Sequence, residues 1–151
     1  DRDAQRVDRR HGGRAYETVG SPGQTTTHEM TLIDTSSWVE HLRSTGQPAV
    51  RERVEHLLQS GRAAWCGMVR LELWAGGGGD RERQTMQAYE NHIPELGVTD
   101  EVWEEACELA SRCRKAGKSA PASDILIAAC ARHHRVPVET ADAHFDFLMK
   151  L

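Results

Sequence analysis

The sequence has no hydrophobic run long enough to cross a membrane. Its longest apolar stretch, Ile125 to Ala131, is far shorter than the roughly 20 residues that a membrane-spanning helix requires. The chain also does not open with a basic segment followed by an apolar one, so we expect no signal peptide. These features predict a protein that has no membrane partner and works in the cytoplasm.

Cysteine is sparse and shows no paired pattern. The four cysteines form no CxxC motif and lie within apolar patterns: Cys66, Cys107, Cys113 and Cys130. We therefore expect small buried thiols in a reducing compartment, and neither disulfides nor a metal site. The grouping of Cys130 with His133 and His134 resembles a metal cluster only superficially, because its spacing supplies no fourth ligand.

The chain also lacks an excess of positive charge. Its formal net charge is −4, and the whole acidic excess lies in residues 30–151. A protein that binds nucleic acid by bulk attraction is basic. A nucleic-acid function would therefore need a local basic rim around an acidic centre loaded with cations.

A length of 151 residues suits a single domain. Residues 1–29 show almost no apolar periodicity, which predicts a flexible tail that is either native or an added leader. Met30 directly precedes the first apolar run and is a plausible natural start. We expect the folded domain to span residues 30–151.

From Met30 onward, predicted strands alternate with predicted helices. Short apolar runs predict strands at 31–33, 63–66, 96–98 and 136–140, and apolar residues at helical spacing predict the helices between them. This alternation is typical of an α/β fold in which helices cover both faces of a parallel sheet.

Four acidic residues occupy positions that such a fold can bring together. Asp34 and Asp142 lie just past predicted strands, at the sheet edge where ligands of α/β folds bind. Asp124 opens an almost wholly apolar helix, and Glu72 lies among apolar residues in another. Each position alone has an ordinary structural explanation, as a helix cap, a helix-start acid or an exposed wedge.

Taken together, the four acids predict a metal site. Carboxylates held a few ångströms apart repel one another, and a hard divalent cation such as Mg²⁺ or Mn²⁺ neutralises them through oxygen ligands. Such a cation polarises a phosphodiester and lowers the pKa of a bound water. Four hydroxyl residues adjacent to the acids in sequence are candidates to hydrogen-bond the carboxylates: Thr35, Ser36, Ser123 and Thr140.

These motifs carry a family resemblance. Four segments resemble the four signatures of PIN-domain ribonucleases, and in particular of VapC-type toxins from bacterial toxin–antitoxin pairs: Ile33-Asp34-Thr35-Ser36, Glu72-Leu73-Trp74-Ala75-Gly76, Asp124-Ile125-Leu126-Ile127-Ala128-Ala129 and Thr140-Ala141-Asp142-Ala143-His144-Phe145. The similarity runs from Met30 to about Phe147, with the acids in the family's order.

The resemblance implies a fold, an activity and partners. The fold would be a three-layer α/β/α PIN-like domain with a short, mostly parallel sheet. The activity would be that of a Mg²⁺- or Mn²⁺-dependent endoribonuclease that cuts structured RNA such as tRNA or rRNA. The partners would be a VapB-type antitoxin and a second copy of the chain in a homodimer. By position, the resemblance makes four residues the catalytic, metal-binding acids: Asp34, Glu72, Asp124 and Asp142.

Two departures from the family pattern leave a second function open. Many relatives carry a further acid where this chain has His144, and many continue beyond the position of Leu151 into another short strand. Both departures favour a degenerate binding module that engages antitoxin or RNA without cleavage. A phosphotransferase with Asp34 as nucleophile is disfavoured, since such enzymes generally need an aspartate at the position of Ser36.

Basic and aromatic residues are weaker candidates for contacts with RNA. Four basic residues are candidates to position the phosphate backbone: Arg43, Arg70, Arg112 and Lys118. Among the tryptophans, Trp38 is expected to line the groove because it lies just after Asp34. Trp65, Trp74 and Trp103 are expected in the core or at a dimer interface.

Overall fold

The computed structural model describes residues 29–151, which form seven helices and four strands. The predicted tail lies outside the described residues, apart from Glu29. The strands are β1 (Thr31–Ile33), β2 (Ala63–Cys66), β3 (Glu95–Leu96) and β4 (Val138–Glu139). The helices are α1 (Thr35–Leu42), α2 (Pro48–Gln59), α3 (Gly67–Gly76), α4 (Asp80–His92), α5 (Asp100–Lys115), α6 (Ala122–His134) and α7 (His144–Leu148).

The four strands form one sheet in the order β3-β2-β1-β4, and every strand pair in the described part of the chain is parallel. Leu32 of β1 aligns with Ala64 of β2 on one side and with Val138 of β4 on the other. The predicted α/β fold with a parallel sheet is therefore confirmed. Because the strands share a direction, their carboxyl ends meet at a single edge.

The core forms around the two central strands and the apolar helix α6. All residues of β1 and β2 are buried. In α6 every residue from 126 to 131 is buried, as its apolar run predicts. Helix α5 packs against α6 and buries one helical stripe, which consists of Val102, Ala106, Leu109 and Cys113. Burial of such a stripe stabilises an amphipathic helix more than its intrinsic propensity does.

Strand β4 is shorter than the sequence pattern predicts because its first residues end the preceding helix. Arg135 adopts a left-handed conformation with φ of 56°, and the Val136 N–H donates to the Ala131 carbonyl, which closes α6. Pro137 then has no N–H to donate, although its carbonyl accepts from the Leu32 N–H. The regular strand begins only at Val138. Strand β3 also lies one to two residues earlier than predicted.

Two predictions about individual side chains were wrong. Trp38 does not line a groove, because it is fully buried and its ring packs against Trp65 and Tyr89. Cys107 is exposed on the outer face of α5, whereas the other three cysteines are buried as expected; all four are free thiols. Both errors arise because sequence spacing places a residue on an element without showing which neighbour covers it.

None of the helices in residues 29–151 is long and apolar enough to span a membrane.

The turn between α1 and α2 is packed so closely that one added methyl group is expected to destabilise the fold. A Cβ at buried Gly46 would collide with the backbone carbonyl of Glu40, whereas a Cβ at Gly76 would meet no atom within 4 Å. We expect Gly46→Ala to lower the free energy of unfolding by about 1–3 kcal/mol, as overpacking does, and Gly76→Ala to change it little. Urea unfolding of both variants measures this difference. Equal stability of the two would contradict the packing described for this turn.

Candidate metal centre

Asp34 lies at the end of β1 and is fixed by both neighbouring segments. Its side chain is almost fully buried, and one oxygen, Oδ2, accepts from the Ser36 hydroxyl at 2.6 Å and from the Thr140 hydroxyl at 2.9 Å. The same oxygen accepts from the Ser36 N–H at 3.3 Å, so Asp34 also caps α1. The predicted roles of Ser36 and Thr140 as hydrogen-bond partners of a carboxylate agree with this geometry.

The loop after β4 brings Asp142 beside Asp34. The Asp142 N–H donates to the Thr140 hydroxyl at 2.9 Å, and the Ala141 N–H donates to the Ser36 hydroxyl at 3.0 Å. Thr140 therefore contacts both segments at once, since it donates to Asp34 and accepts from the backbone of Asp142. This network sets the position of the second acid relative to the first.

Asp124 reaches the same edge from the first turn of α6. Its side chain is 13 % exposed, and its Oδ2 lies 3.1 Å from His144 Nδ1. The same imidazole nitrogen lies 2.9 Å from Asp142 Oδ1. One ligand atom from each of these three residues lies within 4.8 Å of the other two, a grouping that could hold a metal ion.

Glu72 approaches from the middle of α3 and lies outside this three-residue group. Its Oε1 accepts from the Thr35 hydroxyl at 3.3 Å, as expected for a hydroxyl at that position. Burial raises the pKa of Glu72, and the charges of Asp34 and Asp124 raise it further. Glu72 is therefore electrostatically coupled to the other acids although it does not contact them directly.

Crowding of negative charge also shifts the protonation of Asp124. Burial raises the pKa of Asp124, and the charges of Asp34 and Asp142 add to this effect, while His144 opposes it. Two of the four acids thus hold their protons more tightly than free carboxyls do. The arrangement is an anionic pocket that a bound cation would stabilise.

All four acids predicted from the sequence lie at one edge of the sheet, linked by the contacts above. Of the predicted hydroxyl partners, only Ser123 makes no hydrogen bond to these carboxylates among the described residues. The residue that the sequence reasoning missed is His144, which it treated only as a departure from the family pattern. The available signal was its spacing, because a residue two positions after an aspartate can donate its N–H back to that side chain.

The predicted basic contacts differ in their availability. Arg70 forms an ion pair with Glu95 at 2.6 Å, and Arg112 forms one with Glu108 at 3.2 Å. Arg43 is exposed at the end of α1 that lies farthest from Asp34.

Lys118 contacts a ring that packs against His144. Its ammonium is 5.8 Å from the centroid of the Phe147 ring, and that ring packs edge-on against His144. It precedes α6, which carries Asp124 in its first turn. A phosphate contact at this edge remains a prediction for all four basic residues.

Known proteins with this sequence pattern share the same domain. Residues 31–148 match the PIN domain family. The chain is 35 % identical over 126 residues to VapC ribonuclease Mb1587 of Mycobacterium bovis, an alignment that covers 81 % of this chain and 93 % of that protein. It is 33 % identical over 102 residues to ribonuclease VapC21 of Mycobacterium tuberculosis, which covers 66 % of this chain and 74 % of the relative.

Solved structures share the fold at lower sequence identity. FitAcB from Neisseria gonorrhoeae superposes with a TM-score of 0.62 at 22 % identity. The superposition covers 81 % of this chain and 94 % of the FitAcB chain. VapBC-1 from nontypeable Haemophilus influenzae gives a TM-score of 0.63 at 16 % identity and covers 80 % and 92 %. These structures share the fold, and the family match with the two sequence relatives shows that the chain belongs to the PIN-domain family and, within it, to the VapC group.

Proposed function

We propose that this protein is a metal-dependent endoribonuclease, the toxin of a type II toxin–antitoxin pair. The observation that carries the proposal is the convergence of Asp34, Glu72, Asp124 and Asp142 at one sheet edge, in a chain whose relatives are named ribonucleases. Partly buried carboxylates that repel one another destabilise a fold, so their convergence at one edge favours a role in binding a cation.

The donor set fits a divalent cation. The ligand atoms of Asp124, Asp142 and His144 are grouped within 4.8 Å, and burial with mutual repulsion raises the pKa of Asp124 and Glu72. We assign Asp34, Asp124, Asp142 and Glu72 to hold Mg²⁺ or Mn²⁺. When bound there, such an ion would neutralise charge on a phosphodiester and make a water more acidic.

The residues of this chain have distinct tasks in that reaction. Thr140 and Ser36 orient the Asp34 carboxylate by donating their hydroxyl groups to its Oδ2. Glu72, held by Thr35, would accept a proton from the attacking water, since a raised pKa makes its carboxylate a stronger base. Lys118, at the exposed side of Phe147, would contact an RNA phosphate.

We further propose three partners. The first is a structured RNA such as a tRNA or rRNA loop. The second is a VapB-type antitoxin, because the structural neighbours include VapBC complexes, one of them described as bound to a promoter DNA fragment.

The third is a second copy of the chain. Two large apolar side chains are exposed in the described part, Leu71 at 60 % and Trp103 at 54 %, and a homodimer would cover such residues. We place this activity in the cytoplasm.

One observation favours the alternative of a binding module without cleavage. His144 Nδ1 already lies between two of the acids, where a protonated ring would neutralise part of their charge without any metal. A pocket balanced in this way could persist in a protein that only binds RNA or antitoxin. Cleavage assays and metal binding separate the two functions.

Removal of single carboxylates tests the catalytic assignment. We expect Asp34→Asn and Asp124→Asn each to reduce RNA cleavage at least 100-fold, because each removes a negative ligand while keeping the side-chain shape. The matched control is Asp146→Asn, since Asp146 is an exposed acid on α7. Cleavage is followed on a labelled structured RNA with Mg²⁺ or Mn²⁺ and again with EDTA. Retained cleavage in either site variant, or in EDTA, would overturn the assignment.

The raised pKa of Asp124 predicts a pH-dependent stability. A carboxyl whose pKa is higher in the folded state stabilises the fold below its ordinary pKa, and this contribution is lost as pH rises through the raised value. Without metal, Asp124→Asn should therefore unfold at a higher temperature than the parent protein at pH 7.5. Near pH 4 the two should converge.

Differential scanning calorimetry in EDTA measures this gap. Added Mn²⁺ should then raise the unfolding temperature of the parent protein more than that of the variant. A variant that is less stable than the parent protein at pH 7.5 would contradict the predicted repulsion.

Substitution of an exposed tryptophan tests the homodimer. We expect Trp103→Lys to shift the protein from dimer to monomer in light scattering at micromolar concentration, because a charge replaces an apolar contact. Glu104→Lys, a change at the adjacent exposed position, is the control and should leave the dimer intact. A parent protein that is monomeric, or a dimer that Trp103→Lys leaves unchanged, would contradict this interface.

A further inference from the structure

The ring of His144 contacts two carboxylates of the acidic pocket through the same nitrogen. Its Nδ1 lies 2.9 Å from Asp142 Oδ1 and 3.1 Å from Asp124 Oδ2. Two ligands bound at right angles to an ion with bonds of 2.0–2.1 Å lie about 3 Å apart. The nitrogen is therefore separated from both carboxylate oxygens by the distance that neighbouring ligands of one ion have.

The imidazole is held in this orientation by its surroundings. The His144 N–H donates to Asp142 Oδ1 at 2.9 Å, which ties the start of α7 to the acidic loop. The ring packs edge-on against Phe147 at 6.2 Å between centroids. Its side chain is 38 % exposed, so part of the ring faces solvent. A ring fixed on two sides and open on a third is a suitable metal ligand.

We propose that His144 Nδ1 is a direct ligand of the cation, together with Asp124 and Asp142, so that this protein has a mixed nitrogen–oxygen metal site. The inference rests on the proposed function, since it concerns the same pocket. In the binding form the ring is neutral with its proton on Nε2, and Nδ1 presents its lone pair to the ion.

A nitrogen ligand changes which ion the pocket prefers. Carboxylate and water ligands suit Mg²⁺, which dehydrates reluctantly, whereas imidazole suits transition metals. We therefore expect the protein to bind Mn²⁺ more tightly than Mg²⁺. His144→Asp converts the site to an all-oxygen set and should reduce this preference by about tenfold or more, through weaker Mn²⁺ binding and stronger Mg²⁺ binding.

Pulsed electron paramagnetic resonance of the full-length protein loaded with Mn²⁺ tests the ligand directly. A nitrogen bonded to Mn²⁺ produces ¹⁴N modulation of the spin echo, and labelling the histidines with ¹⁵N changes that modulation. We expect the signal in the parent protein and in the control His133→Asn, which alters an exposed histidine at the other end of α6. We expect its loss in His144→Asp. Calorimetric titration with Mn²⁺ and with Mg²⁺ gives the two affinities.

The outcomes separate this inference from the proposed function. Mn²⁺ binding without nitrogen modulation in the parent protein overturns the ligand role and leaves the ribonuclease proposal intact. Binding by His144→Asp but not by the parent protein also overturns it, and shows the imidazole acting as an internal counter-charge. Binding by neither protein overturns both proposals. If His144→Asp does not fold, His144→Asn takes its place, and loss of the nitrogen modulation in that variant assigns the signal of the ¹⁵N-labelled parent protein to His144.

Discussion

The structure depends on holding like charges close together at one edge of a short parallel sheet. Burial and repulsion raise the pKa of Glu72 and Asp124, which shows that the fold holds these acids against an electrostatic cost. Backbone pairing and hydrogen bonds hold the acids in place despite this repulsion. Strands β1 and β4 place Asp34 and the Asp142 loop at the same edge of the sheet, and the Thr140 hydroxyl group bonds to both. In the function proposed here, a bound cation would offset this electrostatic cost with its positive charge.

Much of the fold follows from the sequence because burial imposes periodicity. Strand β2 occurs at the predicted residues 63–66, and helices occupy the intervals between the predicted strands, as the apolar spacing indicates. Strand β4 is shorter than predicted because the closing of α6 takes up Val136 through a left-handed residue, Arg135, which no local pattern marks. Trp38 is buried for a similar reason, since aromatic rings from β2 and α4 cover it.

The site was predictable to the level of its acids but not of its histidine. Strand ends and family motifs single out Asp34, Asp124, Asp142 and Glu72. His144 joins them through its backbone N–H and its ring Nδ1, which contacts Asp124 and Asp142. Basic residues that contact RNA are harder to predict from the sequence than the acids. Charge alone nominates Arg70 and Arg112, yet Arg70 pairs with Glu95 on β3 and Arg112 pairs with Glu108 one turn earlier on α5. The Arg112 pair follows from i,i+4 spacing on one helix. The Arg70 pair depends on tertiary neighbours, which spacing in sequence does not encode.

The hydrogen bond from Thr140 to Asp34 has a consequence for biosynthesis, because it joins residues 106 positions apart. During translation, Asp34 leaves the ribosome long before Thr140, which donates its hydroxyl group to it, has been made. The pocket cannot assemble until the last strand has emerged and docked beside the first. Asp34 therefore lacks one of the two hydroxyl groups that orient its carboxylate until Thr140 has been made and β4 has packed beside β1.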